Sequence, residues 1–136
     1  MARLPFEDPD PSFIPLAGRR ALDRAGLKLS LRAWQSLSFL VRETVARLGE
    51  EDEVDGARVR ELLEGVAPEP ERIEPLADPP AGAVPAEVSG ALGGERPLDA
   101  EKWRGLSPVA RYALFSYARR GRAEKLAGAY DSLFRS

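Results

Sequence analysis

At 136 residues the chain is the size of one ordinary domain, long enough to bury a core without disulfide staples. It has no cysteine and no histidine, which excludes thiolate nucleophiles, disulfides, Cys-based zinc or iron–sulfur sites and the usual general base near neutral pH. Net charge is only −2, but residues 1–48 carry eight basic and five acidic side chains, residues 49–100 four and fourteen, and residues 101–136 eight and three, so basic ends flank an acidic middle.

Residues 1–12, with Pro5, Pro9 and Pro11 among acidic side chains, read as an extended lead-in without the apolar stretch of a signal peptide. No apolar run approaches the roughly 18 residues of a membrane span, so a cytoplasmic protein is expected. Residues 13–136 are expected to form a single all-α domain, a compact bundle of about six to eight helices. Ser12 is the candidate cap of a first helix over Ile14–Ala25, with Pro15 in the first turn and Gly26 as the stop. Ile14, Ala17, Ala21, Leu22 and Ala25 make its apolar stripe, and Arg19, Arg20 and Arg24 are assigned to the other faces.

Ser30 can cap a short helix over Leu31–Gln35, and Ser38 a longer one over Phe39–Leu48 ended by Gly49. The acidic run Glu50-Glu51-Asp52-Glu53 lacks the spacing of a calcium loop and reads as solvated. Asp55 can then cap a helix bearing Val59, Leu62, Leu63 and Val66. Six prolines between Pro68 and Pro85 forbid regular helix, leaving residues 67–85 as either a mobile linker or an extended strap. A short helix over Ala86–Leu92 follows. Asp99 caps another over Ala100–Arg104, and Ser107-Pro108 opens a strong helix to Arg119. Beyond Gly121, the positions Ala123, Leu126, Ala127, Tyr130, Leu133 and Phe134 give an amphipathic terminal helix.

The chain matches itself at an offset of 69 residues: Leu29–Ser38 aligns with Leu98–Ser107, and beyond them Arg42 with Arg111 and Val45 with Leu114. Each copy reads cap, three residues, Trp, two residues, Leu, cap. The first cap starts one helical turn, and the Leu becomes the apolar residue preceding a second, longer helix that leaves at an angle. Trp34, Leu37, Trp103 and Leu106 are therefore expected as structural core. Exposed tryptophans anchoring a partner are the alternative.

The same residues resemble a known family. Phe13-Ile14-Pro15-Leu16, followed by Leu22-Asp23-x-Ala25-Gly26-Leu27-Lys28-Leu29-Ser30-Leu31-Arg32-x-Trp34, is similar to the opening of the nitrate-reductase-associated protein family. Trp103-x-x-Leu106-x-x-x-x-Arg111-Tyr112-Ala113-Leu114 is similar to its second signature. Phe13 stands where members commonly carry Cys, and Gly121-Arg122-Ala123-Glu124 where they carry a Gly-His-Glu-Asn-like stretch. The resemblance implies an accessory protein for assembly or activation of an assimilatory nitrate reductase, a molybdenum enzyme with an iron–sulfur cluster.

With no Cys or His, that help is expected through protein–protein contact, with no catalytic, cofactor-binding or metal-ligating residues in this chain. A carboxylate-based enzyme and a nucleic-acid binder are the rivals, and the acidic pI argues against the latter. Arg19, Arg20 and Arg24, with Arg119, Arg120 and Arg122, are the candidate partner-binding residues. They converge on one face if the two corners pack pseudo-symmetrically. The alternative is that they pair with the acidic middle.

Overall fold

The structure, a computed structural model, describes residues 4–7 and 13–135. Among these the order is α1 (Leu16–Ala25), β1 (Leu27–Lys28), α2 (Leu31–Ser36), α3 (Phe39–Glu50), α4 (Gly56–Leu62), β2 (Glu71–Arg72), α5 (Ala86–Leu92), α6 (Ala100–Arg104), α7 (Pro108–Arg119) and α8 (Ala123–Phe134). The fold is all-α, with eight helices among the described residues. Its one small sheet pairs β1 and β2 antiparallel, Leu27 opposite Arg72 and Lys28 opposite Glu71.

Side-chain caps set the starts of five helices, whereas α5 and α8, which follow Pro85 and Arg122, have none. Ser30, Ser38, Asp55, Asp99 and Ser107 each accept a backbone N–H three residues on, satisfying one of the donors a helix start leaves free. α1 is different. Pro15, its N-cap, has no side-chain oxygen to offer, and the expected cap Ser12 lies outside the described residues. The carboxylate of Glu7 serves there: Oε2 accepts the Leu16 N–H at 2.9 Å and Oε1 the Leu4 N–H at 2.9 Å. Gly26 ends α1 at φ 74°, where a side chain would be strained.

The helices gather into two compact units that divide between Ala77 and Asp78. In the first, α1 packs on α3 and α4, and α3 touches α4. The crossing of α1 and α3 is backbone against backbone: a Cβ on Gly49 would stand 2.5 Å from the carbonyl carbon of Ala17. This explains why Gly49 does not end the helix as the sequence suggests. α3 runs on to Glu50, and the glycine serves packing. Ala21, Leu22, Ala33, Trp34, Val45, Val59 and Leu63 fill the core beneath. Val66, expected on α4, lies beyond its end and packs against this core.

The proline-rich stretch is, through Leu76, an extended strap. The Ile73 N–H donates to Gly26 O at 2.9 Å and the Leu76 N–H to Asp23 O at 2.8 Å, tying the strap to the end of α1.

The second unit repeats the plan. α5 packs on α7 and α8, and α7 on α8, the same three pairings in the same order. The corners match bond for bond. Trp34 and Trp103 N–H groups donate to Ser30 O and Asp99 O at 3.0 Å, and Leu37 and Leu106 N–H groups to the two tryptophan carbonyls at 3.1 Å. Arg42 and Arg111 N–H groups reach Ser38 O and Ser107 O at 3.0 Å. The self-match in sequence is thus a repeat of structure, wider than the ten residues that reveal it. Tyr130 Oη donates to Pro97 O at 2.5 Å, and Arg96 makes two bonds of 3.1 Å to the Asp131 carboxylate, fixing the chain before α6 to α8.

Candidate partner-binding surface

The arginines singled out in the sequence fall into three environments. Arg20 is fully buried. It follows the buried Leu16 by four residues on the same face of α1, a covered face rather than an outer one. Nη1 donates to Gly49 O at 2.8 Å and Glu51 O at 2.5 Å, and Nη2 to Asp52 O at 2.9 Å. These carbonyls end α3, where helical geometry supplies no donors and the helix dipole favours a cation. Arg20 therefore closes a neighbouring helix, and a buried guanidinium so engaged is not offered to a partner.

Arg19 and Arg24 are half-buried. Arg19 has an interaction partner, and Arg24 Nη1 reaches Leu76 O on the strap at 3.4 Å.

Arg119, Arg120 and Arg122 are exposed and surround the turn between α7 and α8. Gly121, at φ 67°, closes that turn as a Schellman motif: its N–H donates to Ala118 O at 3.2 Å and the Arg122 N–H to Tyr117 O at 2.9 Å. The backbone is thereby fixed while the side chains are left to solvent. The Arg119 guanidinium lies 5.5 Å from the Phe115 ring centroid. None of the three makes an ion pair among the described residues. Residues 119–125 hold four basic side chains and one acidic one, so the turn is a local positive patch on a chain of net negative charge.

The tryptophans lie inside. Trp34 and Trp103 are both fully buried, while Leu37 and Leu106 are half-buried at the corners. The two indoles differ in one respect that the sequence does not disclose. Trp103 Nε1 donates to Pro80 O at 2.7 Å, whereas Trp34 Nε1 is buried without a partner. The matched arginines differ likewise. Arg111 Nη1 donates to Arg104 O at 3.2 Å and to Leu106 O, stapling the second corner, while Arg42 Nε is buried without a hydrogen bond. Sequence reasoning also missed the exposed pair Phe39 and Leu40, 58% and 69% accessible in the first turn of α3. Val109, which aligns with Leu40 in the repeat, is 6% accessible.

Among the described residues no three acidic side chains are grouped so that they could hold a metal ion, and no helix is long and apolar enough to cross a membrane. Comparison with known proteins finds no match among curated proteins or solved structures. The model of the conserved nitrate reductase-associated protein family matches residues 9–128, nearly the whole chain, including both tryptophan corners and the arginine turn. The chain belongs to that family.

Proposed function

We propose that the protein is a non-enzymatic accessory factor of the cytoplasm that supports the maturation or activity of an assimilatory nitrate reductase through protein–protein contact, and that Arg119, Arg120 and Arg122 meet an acidic patch on the partner. The observation that carries this reading is the arginine turn: three exposed guanidinium groups, without ion-pair partners among the described residues, on a backbone locked by Gly121. Family membership supports the accessory role. Arginine forks suit bidentate recognition of carboxylates, and complementary charge raises the rate of encounter while making it sensitive to salt.

Charge reversal at Arg119 and Arg120 tests the proposal. The double variant Arg119→Glu/Arg120→Glu should melt where the parent does and lose the partner in a pull-down from its own cells grown on nitrate. A lowered melting temperature with partner capture intact makes these arginines structural and ends the proposal. A salt-dependent shift of DNA by the parent, lost in the double variant, would move the turn to a nucleic-acid partner.

A further inference from the structure

A cleft of about 380 Å3 opens in the first unit, alongside the strap and the end of α4. That is within the range of roughly 300–1,000 Å3 that small ligands occupy. Its floor is apolar and continuous with the core: Leu27 and Leu63 are buried core residues, and Val66 and Pro70 complete the lining. Its rim carries four charges, Arg60 and Arg72 against Glu64 and Glu69. Opposite charges that line one small space would ordinarily neutralise each other. Here no ion pair joins them, and none of the four is ion-paired elsewhere among the described residues.

Both arginines of the rim are placed by the fold. Arg60 is tethered by Nη1 to Ala25 O at 3.0 Å, and Arg72 is fixed opposite Leu27 in the β1–β2 pair. Glu64 follows the end of α4, where its N–H donates to Glu61 O at 3.3 Å, and Glu69 belongs to the strap.

The chemistry that fits can be found by elimination. A simple anion gains from the arginines and loses to the glutamates. A simple cation meets the converse. A neutral apolar molecule displaces water from four charges and returns nothing to them. A ligand bearing both charges and an apolar group satisfies the floor and both halves of the rim. We propose that this cleft binds an α-amino acid with a large apolar side chain, as the free zwitterion. Its carboxylate is taken by the guanidinium groups of Arg60 and Arg72, its ammonium by Glu64 and Glu69, and its side chain by the floor. The site lies in a different unit from the arginine turn and stands whether or not that turn binds a partner.

The test is an NMR titration of the full chain, reading the amide shifts of Leu27, Leu63, Val66 and Arg72. L-Leucine and L-phenylalanine should shift them saturably, with dissociation constants in about the millimolar range or tighter. Glycine, isocaproate and isoamylamine, each lacking one of the three features, should bind about tenfold or more weakly. Arg72→Met should weaken leucine by about tenfold or more without changing the melting temperature, because no bond of its side chain holds the fold. Glu64→Gln gives a second, independent variant with the same expected direction. The inference is overturned if leucine leaves these amides unmoved, if any one of the three partial ligands binds as tightly as leucine, or if both variants bind leucine as the parent does. Equal binding of N-acetyl-leucinamide would overturn it too, in favour of a peptide segment.

Discussion

Replacing Arg20 isolates the cost of leaving the end of a helix unclosed. Arg20→Met keeps an apolar stem of similar length, so the change is mostly polar. The loss comprises three hydrogen bonds from a charged donor, one buried and two part-buried. A bond to a charged group contributes about 1.5–3 kcal/mol, and a buried carbonyl left without a donor keeps the full penalty. Water can reach the Glu51 and Asp52 carbonyls in part and recover some of theirs. The expected loss is therefore about 3–4 kcal/mol, close to the size seen when a buried charge arrangement is broken.

Arg20→Lys should fall between, at about 1–2 kcal/mol, because one ammonium keeps the charge at the helix end but cannot span three carbonyls. The measurement is urea unfolding in a Trp103→Phe background, where the remaining indole, Trp34, reports on the first unit alone. A loss under about 1 kcal/mol for Arg20→Met, or a lysine variant less stable than the methionine one, would refute the argument that the guanidinium closes α3.

Three further outcomes follow from single contacts. Gly49→Ala should cost about 3 kcal/mol or more in the same urea assay, despite alanine's helix propensity, because the new Cβ meets the Ala17 main chain and α1 must lift from α3. Trp103→Phe should cost about 1 kcal/mol more than Trp34→Phe, since the first abandons a bond to Pro80 O and the second removes a donor that has no partner; equal costs in calorimetry would contradict this. Asp131 is held below the usual carboxylate range chiefly by its hydrogen bonds from Arg96; desolvation, next in size, opposes this, and the charges of Arg96 and Arg135 add to the lowering. A depressed carboxylate stabilises above its unfolded value and loses that contribution as pH falls through the folded one. The melting temperature of Asp131→Asn should accordingly lie below the parent's at pH 7 and converge with it below roughly pH 4.

The elements that could be read from the sequence are those whose signals are local. A cap acts on an N–H three residues away, so Ser30, Ser38, Asp99 and Ser107 placed four helix starts and both corners without reference to the rest of the fold. The offset repeat was visible where caps and tryptophans force the geometry. It faded where only apolar phase is retained, and so the matching packing of α1, α3 and α4 with α5, α7 and α8 could not be read from residue identity. What failed was non-local. Glu7 caps a helix that begins nine residues later, and the strap's partners at Gly26 and Asp23 are 47 and 53 residues back along the chain.

Arg20 is the instructive case. Arg19 and Arg20 are identical neighbours, and at about 3.6 residues per turn they lie almost equally far from the centre of the stripe through Ile14, Ala17, Ala21, Leu22 and Ala25, so its phase does not separate them. Only the fold shows that α1 is covered on a second face, where Leu16 and Arg20 are both buried. The arginine turn was legible for the opposite reason: Arg119, Arg120 and Arg122 crowd a left-handed glycine between two helices, where no face is available to bury them. The cleft of the first unit was legible in neither way. Eight of its nine lining residues fall between Arg60 and Arg72, but they enclose a space only because the strap folds back to pair Arg72 with Leu27 of β1. A surface built on one turn can be read from consecutive residues; a pocket built on four segments exists only once the strap has been laid down. Mutations that loosen the strap should for that reason empty the cleft while leaving the arginine turn as it is.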